Sequence, residues 1–287
     1  MIKSLEPLVL SDQGPLLVHA HANGYPPEVY QAFLKPFLAD FQVRAVYQRP
    51  FWPGSVPDSL GDWRVLRDDY LAALPTHLAS AGGDGTLVGM GHSLGAMTTL
   101  MAAIERPDRF RALVLIEPTL FPPWMGFIMR ALAPFQFFRY IHPLIRRTLR
   151  RRTSFPDEES MFSNYRRKQI FAGIPDHVLR DYARGLAKPE PDGTVSLKYS
   201  PAWELKIYET GGSADRYVWR NLAGIPCPVL ILRGEDSDTL GARTLVRIAG
   251  GLPNGQGVTV KGVGHLLPLE APDKVAGVVL DFLGSVS

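Results

Sequence analysis

The segment GMGHSLGA, residues 89–96, places a serine between two glycines, and its neighbours constrain the fold more than any other stretch. The apolar run TLVGM precedes the serine and predicts a strand, whereas AMTTLMAAIE follows and predicts a helix. A strand that turns directly into a helix holds the residue at the turn in a strained conformation, and flanking glycines remove the side chains that would clash. The spacing Gly91-x-Ser93-x-Gly95 therefore predicts a sharp turn from which the Ser93 hydroxyl projects clear of a sheet.

Apolar runs and amphipathic stretches alternate along most of the chain. The predicted strands are PLLVHA, FQVRAVYQ, GTLVGMG, RALVLIE, CPVLILRG and GVTVKG. Because helical patterns separate most of these strands, we expect an α/β fold with a parallel sheet covered on both faces. The alternation breaks from about Leu120 to Leu222, where proline, aromatic residues and arginine predict an insertion of helices and loops over one edge of the sheet.

Composition limits the class of protein. A chain of 287 residues with 46% hydrophobic residues can bury a large core, and a net charge of +3 does not favour nucleic acid as a partner. Cys227 is the single cysteine, which fits a reducing compartment. The N-terminal residues lack the features of a signal peptide, and no apolar run approaches the roughly 20 residues of a membrane span. We therefore expect a cytoplasmic monomer or homodimer without membrane contact.

Four motifs follow predicted strands in a characteristic order. They are HAHANGYP, GHSLGA, RGEDSD and GVGHLLPLEAPDKV. Their order of serine, acid and histidine resembles that of the α/β-hydrolase family, in its serine hydrolase or esterase type. The resemblance covers nearly the whole chain and implies a mostly parallel twisted sheet flanked by helices. It also implies a hydrolase core of residues 1–119 and 223–287, with a mainly helical lid of residues 120–222 inserted between the two halves of the sheet.

A serine hydroxyl needs a neighbouring base before it can attack a carbonyl. His265, in the fourth motif, is the candidate base for the nucleophile Ser93. A carboxylate should orient the histidine and stabilise its charged form. The resemblance implies Asp238 for this role, with Asp236 second, while Glu117 is a further alternative because some family members take their acid from that strand.

The family resemblance also implies an oxyanion hole of two backbone N–H groups. Leu94 follows the nucleophile and supplies one donor, and Asn23 supplies the other, with Gly24 or Tyr25 as alternatives if the loop is shifted. His19 and His21 lie at a strand end without a third metal ligand close by. We therefore expect neither a metal nor a cofactor.

Haloalkane dehalogenases and epoxide hydrolases of this fold resemble one another in having aspartate at the turn, whereas this chain has Ser93 there. We expect cleavage of a carboxylic ester, or of a related thioester or lactone, through an acyl-enzyme. Trp124 and Phe127 in the lid should line an apolar pocket for a small acyl substrate. The basic stretch RRTLRRR is expected to be a solvated face, with attraction to an anionic surface such as lipid as the alternative. The alternatives are a C–C bond hydrolase and a hydrolase-fold protein that binds a small ligand with little turnover.

Overall fold

A seven-stranded sheet forms the centre of the computed structural model, which describes residues 4–81, 84–123, 145 and 148–286. The strand order is β1-β3-β2-β4-β5-β9-β10, and every pairing is parallel except that of β1 with β3. This confirms the predicted mostly parallel sheet. The strands are β1 (Leu8–Val9), β2 (Leu16–Ala20), β3 (Gln42–Val46), β4 (Leu87–His92), β5 (Phe110–Ile116), β9 (Val229–Gly234) and β10 (Gly255–Val260).

Helices lie between the strands in chain order, and the central strands β2 and β4 are buried along their whole length. Strands covered on both faces are expected to be apolar throughout, which is why these segments show continuous apolar runs rather than alternation. The helices are α1 (Gln31–Leu34), α2 (Arg64–Ala81), α3 (Leu94–Glu105), α4 (Glu158–Arg166), α5 (Asp176–Leu186), α6 (Pro201–Glu209), α7 (Asp215–Asn221), α8 (Ala242–Gly251), α9 (Leu267–Glu270) and α10 (Pro272–Ser285).

The described part of the insertion contains strands that the sequence did not predict. A three-stranded antiparallel sheet has the order β6-β8-β7, with β6 (Ser154–Phe155), β7 (Ala187–Pro189) and β8 (Val195–Leu197). Strands of two or three residues are too short to show a hydrophobic period. The turn between β7 and β8 is closed by the N–H of Glu190, which donates to the Thr194 carbonyl at 2.9 Å.

Parallel pairing brings the carboxyl ends of three strands to one edge of the sheet. His92 at the end of β4 pairs with Ile116 at the end of β5, and Ile116 pairs with Leu232 near the end of β9. The residues that follow these strands therefore emerge side by side. Ligands of open α/β sheets bind at this edge, so the candidate site is sought there.

Candidate active site

Ser93 occupies the sharp turn between β4 and α3. Its φ of 55° and ψ of −114° lie outside the regions that non-glycine residues favour, and its N–H donates to the Ile116 carbonyl at 2.8 Å. A Cβ atom at Gly91 would lie 2.4 Å from the Gly95 carbonyl oxygen, and one at Gly95 would lie 2.1 Å from the Ala20 oxygen. Both glycines are therefore required by close backbone approach, as the spacing predicts.

His265 lies between a hydroxyl and a carboxylate. Its Nε2 is 3.1 Å from Ser93 Oγ, and its Nδ1 is 3.0 Å from Glu117 Oε2. Both separations are within hydrogen-bond reach, the first requirement for proton transfer between side chains. With the carboxylate accepting from Nδ1–H, the neutral ring presents the lone pair of Nε2 to the serine.

Glu117 directly follows β5 and is completely buried. Its backbone has a positive φ of 49°, and its N–H donates to the Leu232 carbonyl of β9 at 2.8 Å. The carboxylate accepts from the Gly234 N–H at 2.7 Å and from the Ser237 hydroxyl at 2.6 Å, in addition to His265. Three donors around a buried carboxylate compensate the loss of water around its charged form.

The structure corrects the predicted acid, because Asp238 does not contact His265. Asp238 is exposed, and its Oδ1 accepts a hydrogen bond from the Thr239 hydroxyl at 3.2 Å. The loop after β9 turns back on itself, with the Ser237 N–H donating to the Gly234 carbonyl at 3.1 Å. It is Ser237, one residue earlier, whose side chain reaches the buried carboxylate, while Asp236 is exposed.

The backbone N–H groups of Leu94 and Asn23 are free to donate. Leu94 is the first residue of α3, where helical N–H groups have no partner within the helix. Asn23 lies in a turn in which the Tyr25 N–H donates to the Ala22 carbonyl at 3.2 Å. Across the residues that the structure describes, neither N–H has a hydrogen-bond acceptor. Both groups can therefore donate to an external oxygen.

The side chain of Asn23 is held by residues of the insertion. The Tyr199 hydroxyl donates to Asn23 Oδ1, and Asn23 Nδ2 donates to the Glu204 carbonyl at 3.4 Å. Tyr199 is fully buried. The insertion thus contacts the loop that follows β2 through the neutral amide of Asn23.

A largely buried ion pair lies beside Gly24, the next residue of that loop. Arg151 pairs with the Glu204 carboxylate, and a Cβ atom on Gly24 would lie 3.6 Å from Arg151 and 3.9 Å from Glu204. Arg151 also donates to the hydroxyls of Tyr165 and Tyr182 at 3.1 and 2.9 Å. The expectation that RRTLRRR is a solvated face is therefore wrong for Arg151, whose side chain is only 9% exposed.

His19 and His21 are both buried in the core beside the candidate site. Burial lowers the pKa of His19 to about 3 and that of His21 to about 4, so both rings are neutral near pH 7. His21 Nε2 accepts from the Gln48 N–H at 3.1 Å, which gives it a structural role. Within the described ranges there is no cluster of three or more candidate metal ligands.

Trp124 and Phe127, predicted to line the pocket, lie outside the described residues. No helix in the described part of the chain is long and apolar enough to cross a membrane. Cys227 is a buried free thiol, and burial raises its pKa to about 11, as expected for a small apolar core residue rather than a nucleophile.

Several residues of the site carried no recognisable sequence signal. Ser237 and Tyr199 act through contacts with residues more than a hundred positions away. Glu117 had one usable signal, its place directly after a predicted strand next to the serine strand. Only the sheet order shows that β5 and β9 are neighbours.

Comparison with known proteins identifies the family of this chain. A model of the alpha/beta hydrolase family matches residues 16–278. The chain is 24% identical over 276 residues to the 2-(acetamidomethylene)succinate hydrolase of Mesorhizobium japonicum, covering 94% of this chain and 88% of that protein.

Solved structures show the same fold. The crystal structure of E-2-(acetamidomethylene)succinate hydrolase has a TM-score of 0.77 at 22% identity and covers 99% of this chain and 100% of its own. The peroxisomal alpha-beta-hydrolase Lpx1 of Saccharomyces cerevisiae has a TM-score of 0.71 at 18% identity, with coverage of 96% and 79%. The thioesterase domain from the curacin biosynthetic pathway has a TM-score of 0.70 at 18% identity, with coverage of 97% and 100%. Since the family model spans most of the sequence, the chain belongs to the alpha/beta hydrolase family.

Proposed function

We propose that the protein is a serine hydrolase that cleaves a carboxylic ester, or a related thioester or lactone, through an acyl-enzyme. Ser93 is the nucleophile, His265 the general base and Glu117 the acid of the triad. The observation that carries the proposal is the continuous contact from Ser93 Oγ to His265 Nε2 and from His265 Nδ1 to Glu117 Oε2, at 3.1 and 3.0 Å.

In the first half-reaction, Ser93 Oγ attacks the substrate carbonyl carbon while His265 Nε2 takes the hydroxyl proton. The carbonyl oxygen becomes an oxyanion in the tetrahedral intermediate. When this intermediate collapses, the bond to the leaving alcohol breaks, and His265 donates its proton to that oxygen. In the second half-reaction, water attacks the acyl-enzyme with His265 again acting as base, which releases the acid and restores Ser93.

Glu117 keeps His265 in the tautomer that can accept from Ser93, and it stabilises the imidazolium formed in each step. Its own position is fixed by Gly234 and Ser237, so it needs no rearrangement during the reaction. The N–H groups of Leu94 and Asn23 are the proposed oxyanion donors. Two hydrogen bonds from the insertion to the Asn23 side chain hold the second donor in place.

The substrate is proposed to be a small acyl compound that binds between the sheet edge and the lid of residues 120–222, with Trp124 and Phe127 against the acyl chain. A second candidate is a polar substrate such as the one named for the Mesorhizobium relative. It is supported by the buried hydroxyls and the Arg151–Glu204 pair, which border Gly24 in the proposed oxyanion loop. Comparing p-nitrophenyl acetate and octanoate with 2-(acetamidomethylene)succinate as substrates separates the two candidates.

Labelling with a fluorophosphonate, followed by mass spectrometry, tests whether Ser93 is activated. We expect label on Ser93 in the wild type and none in Ser93→Ala, whose hydrolysis of p-nitrophenyl acetate should fall by about 10⁴-fold or more. Ser59→Ala removes a hydroxyl that donates only to the nearby Val56 carbonyl and serves as the matched control. Wild-type hydrolysis in a folded Ser93→Ala variant would reject the mechanism, and an unlabelled wild type would favour the ligand-binding alternative.

A further inference from the structure

His92, the residue between Gly91 and Ser93, is completely buried and bonded through both ring nitrogens. Its Nε2 lies 2.9 Å from the backbone carbonyl oxygen of His265, and its Nδ1 lies 2.8 Å from the Tyr30 hydroxyl. The same hydroxyl accepts from the Ala22 N–H at 3.1 Å. A buried chain of three hydrogen bonds therefore connects the loop of Asn23 with the loop of His265.

The groups at the two ends of this series of hydrogen bonds determine where its protons lie. A carbonyl oxygen only accepts, so His92 Nε2 must carry the proton that it donates to His265. Burial, with the neighbouring His265, lowers the pKa of His92 well below its usual value, so the ring is neutral and Nδ1 has only a lone pair. Tyr30 must then donate to Nδ1, which leaves its oxygen to accept from the Ala22 N–H.

His265 is thereby fixed at two levels. Its imidazole is held by Ser93 and Glu117, and its main chain is held by His92, the residue next to Ser93. The other end of the chain of bonds holds Ala22, one residue before the proposed oxyanion donor Asn23. One buried pair of side chains, Tyr30 and His92, therefore connects the loop of the base, the nucleophile and the oxyanion loop.

We propose that Tyr30 and His92 are positioning residues that set the placement of His265 and of the oxyanion loop relative to Ser93. The proposal rests on the proposed function, since it assigns these two side chains a part in the reactivity of Ser93. Neither side chain touches the reacting atoms, and His265 acts in both half-reactions. Their removal should therefore lower the rates of acylation and deacylation together and leave the Michaelis constant largely unchanged.

The first test is the tautomer of His92, measured by ¹⁵N NMR of imidazole-labelled protein, with the resonance assigned by its loss in His92→Gln. We expect a neutral ring protonated on Nε2 from pH 6 to pH 8. A ring protonated on Nδ1, or one that titrates in this range, would overturn the chain of hydrogen bonds. This measurement does not depend on turnover.

The second test compares Tyr30→Phe with Tyr70→Phe, which removes another buried hydroxyl, on helix α2 and outside the chain of bonds. Tyr30→Phe removes a hydrogen bond that contributes about 1 kcal/mol. If the activation free energy rises by that amount, kcat for p-nitrophenyl acetate and the fluorophosphonate labelling rate should fall by about 3- to 10-fold. KM should stay within about two-fold, as should every rate in Tyr70→Phe. Equal rates in the two variants would contradict the proposal.

The third test separates the two bonds of His92. His92→Gln can place an amide N–H near the position of Nε2 and keep the donor to His265, whereas His92→Asn can keep only the acceptor for Tyr30. We expect the two variants to have similar melting temperatures and His92→Gln to be labelled by the fluorophosphonate faster than His92→Asn. A labelling rate of His92→Asn equal to or above that of His92→Gln would refute the positioning role. An unlabelled wild type would reject the proposed function, whereas a labelled wild type with equal rates in all variants would reject the positioning role alone.

Discussion

Two buried carboxylates lie at the segment that follows β5: Glu117 is its first residue, and Asp215 contacts it from helix α7. Their surroundings differ. Glu117 begins this segment with no exposed surface and three hydrogen-bond donors. Asp215 on α7 is 3% exposed and accepts one hydrogen bond, from the Phe121 N–H at 3.1 Å, while its other oxygen has no partner among the described residues. Burial raises the pKa of Asp215 to about 7. The two carboxylates are similarly buried and differ in the number of donors that compensate the loss of water.

The contacts of Asp215 indicate a structural role. The Phe121 N–H donates to its carboxylate, and the Phe121 carbonyl accepts from Trp219 Nε1 at 2.7 Å. Both polar groups of one backbone residue are therefore satisfied by helix α7. Glu117, by contrast, connects β5 and the loop after β9 to the proposed base. The comparison separates a carboxylate that we propose acts in the reaction from one that anchors the chain.

The largest expected effect is that of Glu117→Gln, which replaces the charge with a neutral amide of the same size. The amide cannot stabilise an imidazolium, and it can stabilise the wrong tautomer by donating to Nδ1. We predict a fall in kcat/KM for p-nitrophenyl acetate of about 10³- to 10⁴-fold. The matched control is Asp238→Asn, which should stay within about two-fold because Asp238 is exposed. The reverse ranking would restore Asp238 as the acid.

Asp215→Asn should change stability rather than activity. The folded-state pKa of about 7 lies above the ordinary 3.8, so the folded protein binds the proton more tightly than the unfolded chain does. The stabilising contribution of protonated Asp215 is complete below about pH 4 and is lost as the pH rises towards 7. The neutral asparagine avoids this loss, so its advantage in unfolding free energy should grow by roughly 2 kcal/mol from pH 5 to pH 8.

Urea denaturation of wild type and Asp215→Asn at the two pH values measures this difference. Hydrolysis of p-nitrophenyl acetate at pH 8 should be unchanged, because Asp215 contacts none of the proposed triad residues. If the unfolding free energies of the two proteins changed in parallel with pH, the charged form of Asp215 would be compensated for its burial. The contrast with Glu117 would then be wrong.

Ser237→Ala should lower activity less than Glu117→Gln does. It removes one of the three donors to Glu117 and leaves the other two in place. Ser237 Oγ also accepts from the Thr239 and Leu240 N–H groups at 3.1 and 3.2 Å, and these bonds are lost as well. We predict a destabilisation of about 1–3 kcal/mol and a fall in kcat of about 10-fold at most. Steady-state kinetics and a thermal melt check both values, with Ser59→Ala as the control. A loss as large as that of Glu117→Gln would mean that Ser237 itself takes part in the reaction.

Sequence alone was sufficient where the signal is local. The Gly-x-Ser-x-Gly spacing predicted the turn at Ser93, and apolar runs predicted six strands of the sheet. The placement of His265 beside Ser93 was predicted from motif order and is observed. Short strands such as β6 and β8 were missed because two or three residues show no period.

The partner of His265 was decided by tertiary structure. Both Glu117 and Asp238 follow strands that end at the same edge of the sheet, and the linear sequence holds no information about which side chain faces the histidine. The choice depends on the pairing of β5 with β9 and on a loop that aims Ser237 inward and leaves Asp238 in solvent. The bond between Tyr30 and His92 has the same origin, since it joins residues 62 positions apart. Backbone strain is encoded by neighbouring residues, whereas the burial and pairing of a polar group exist only when distant strands meet.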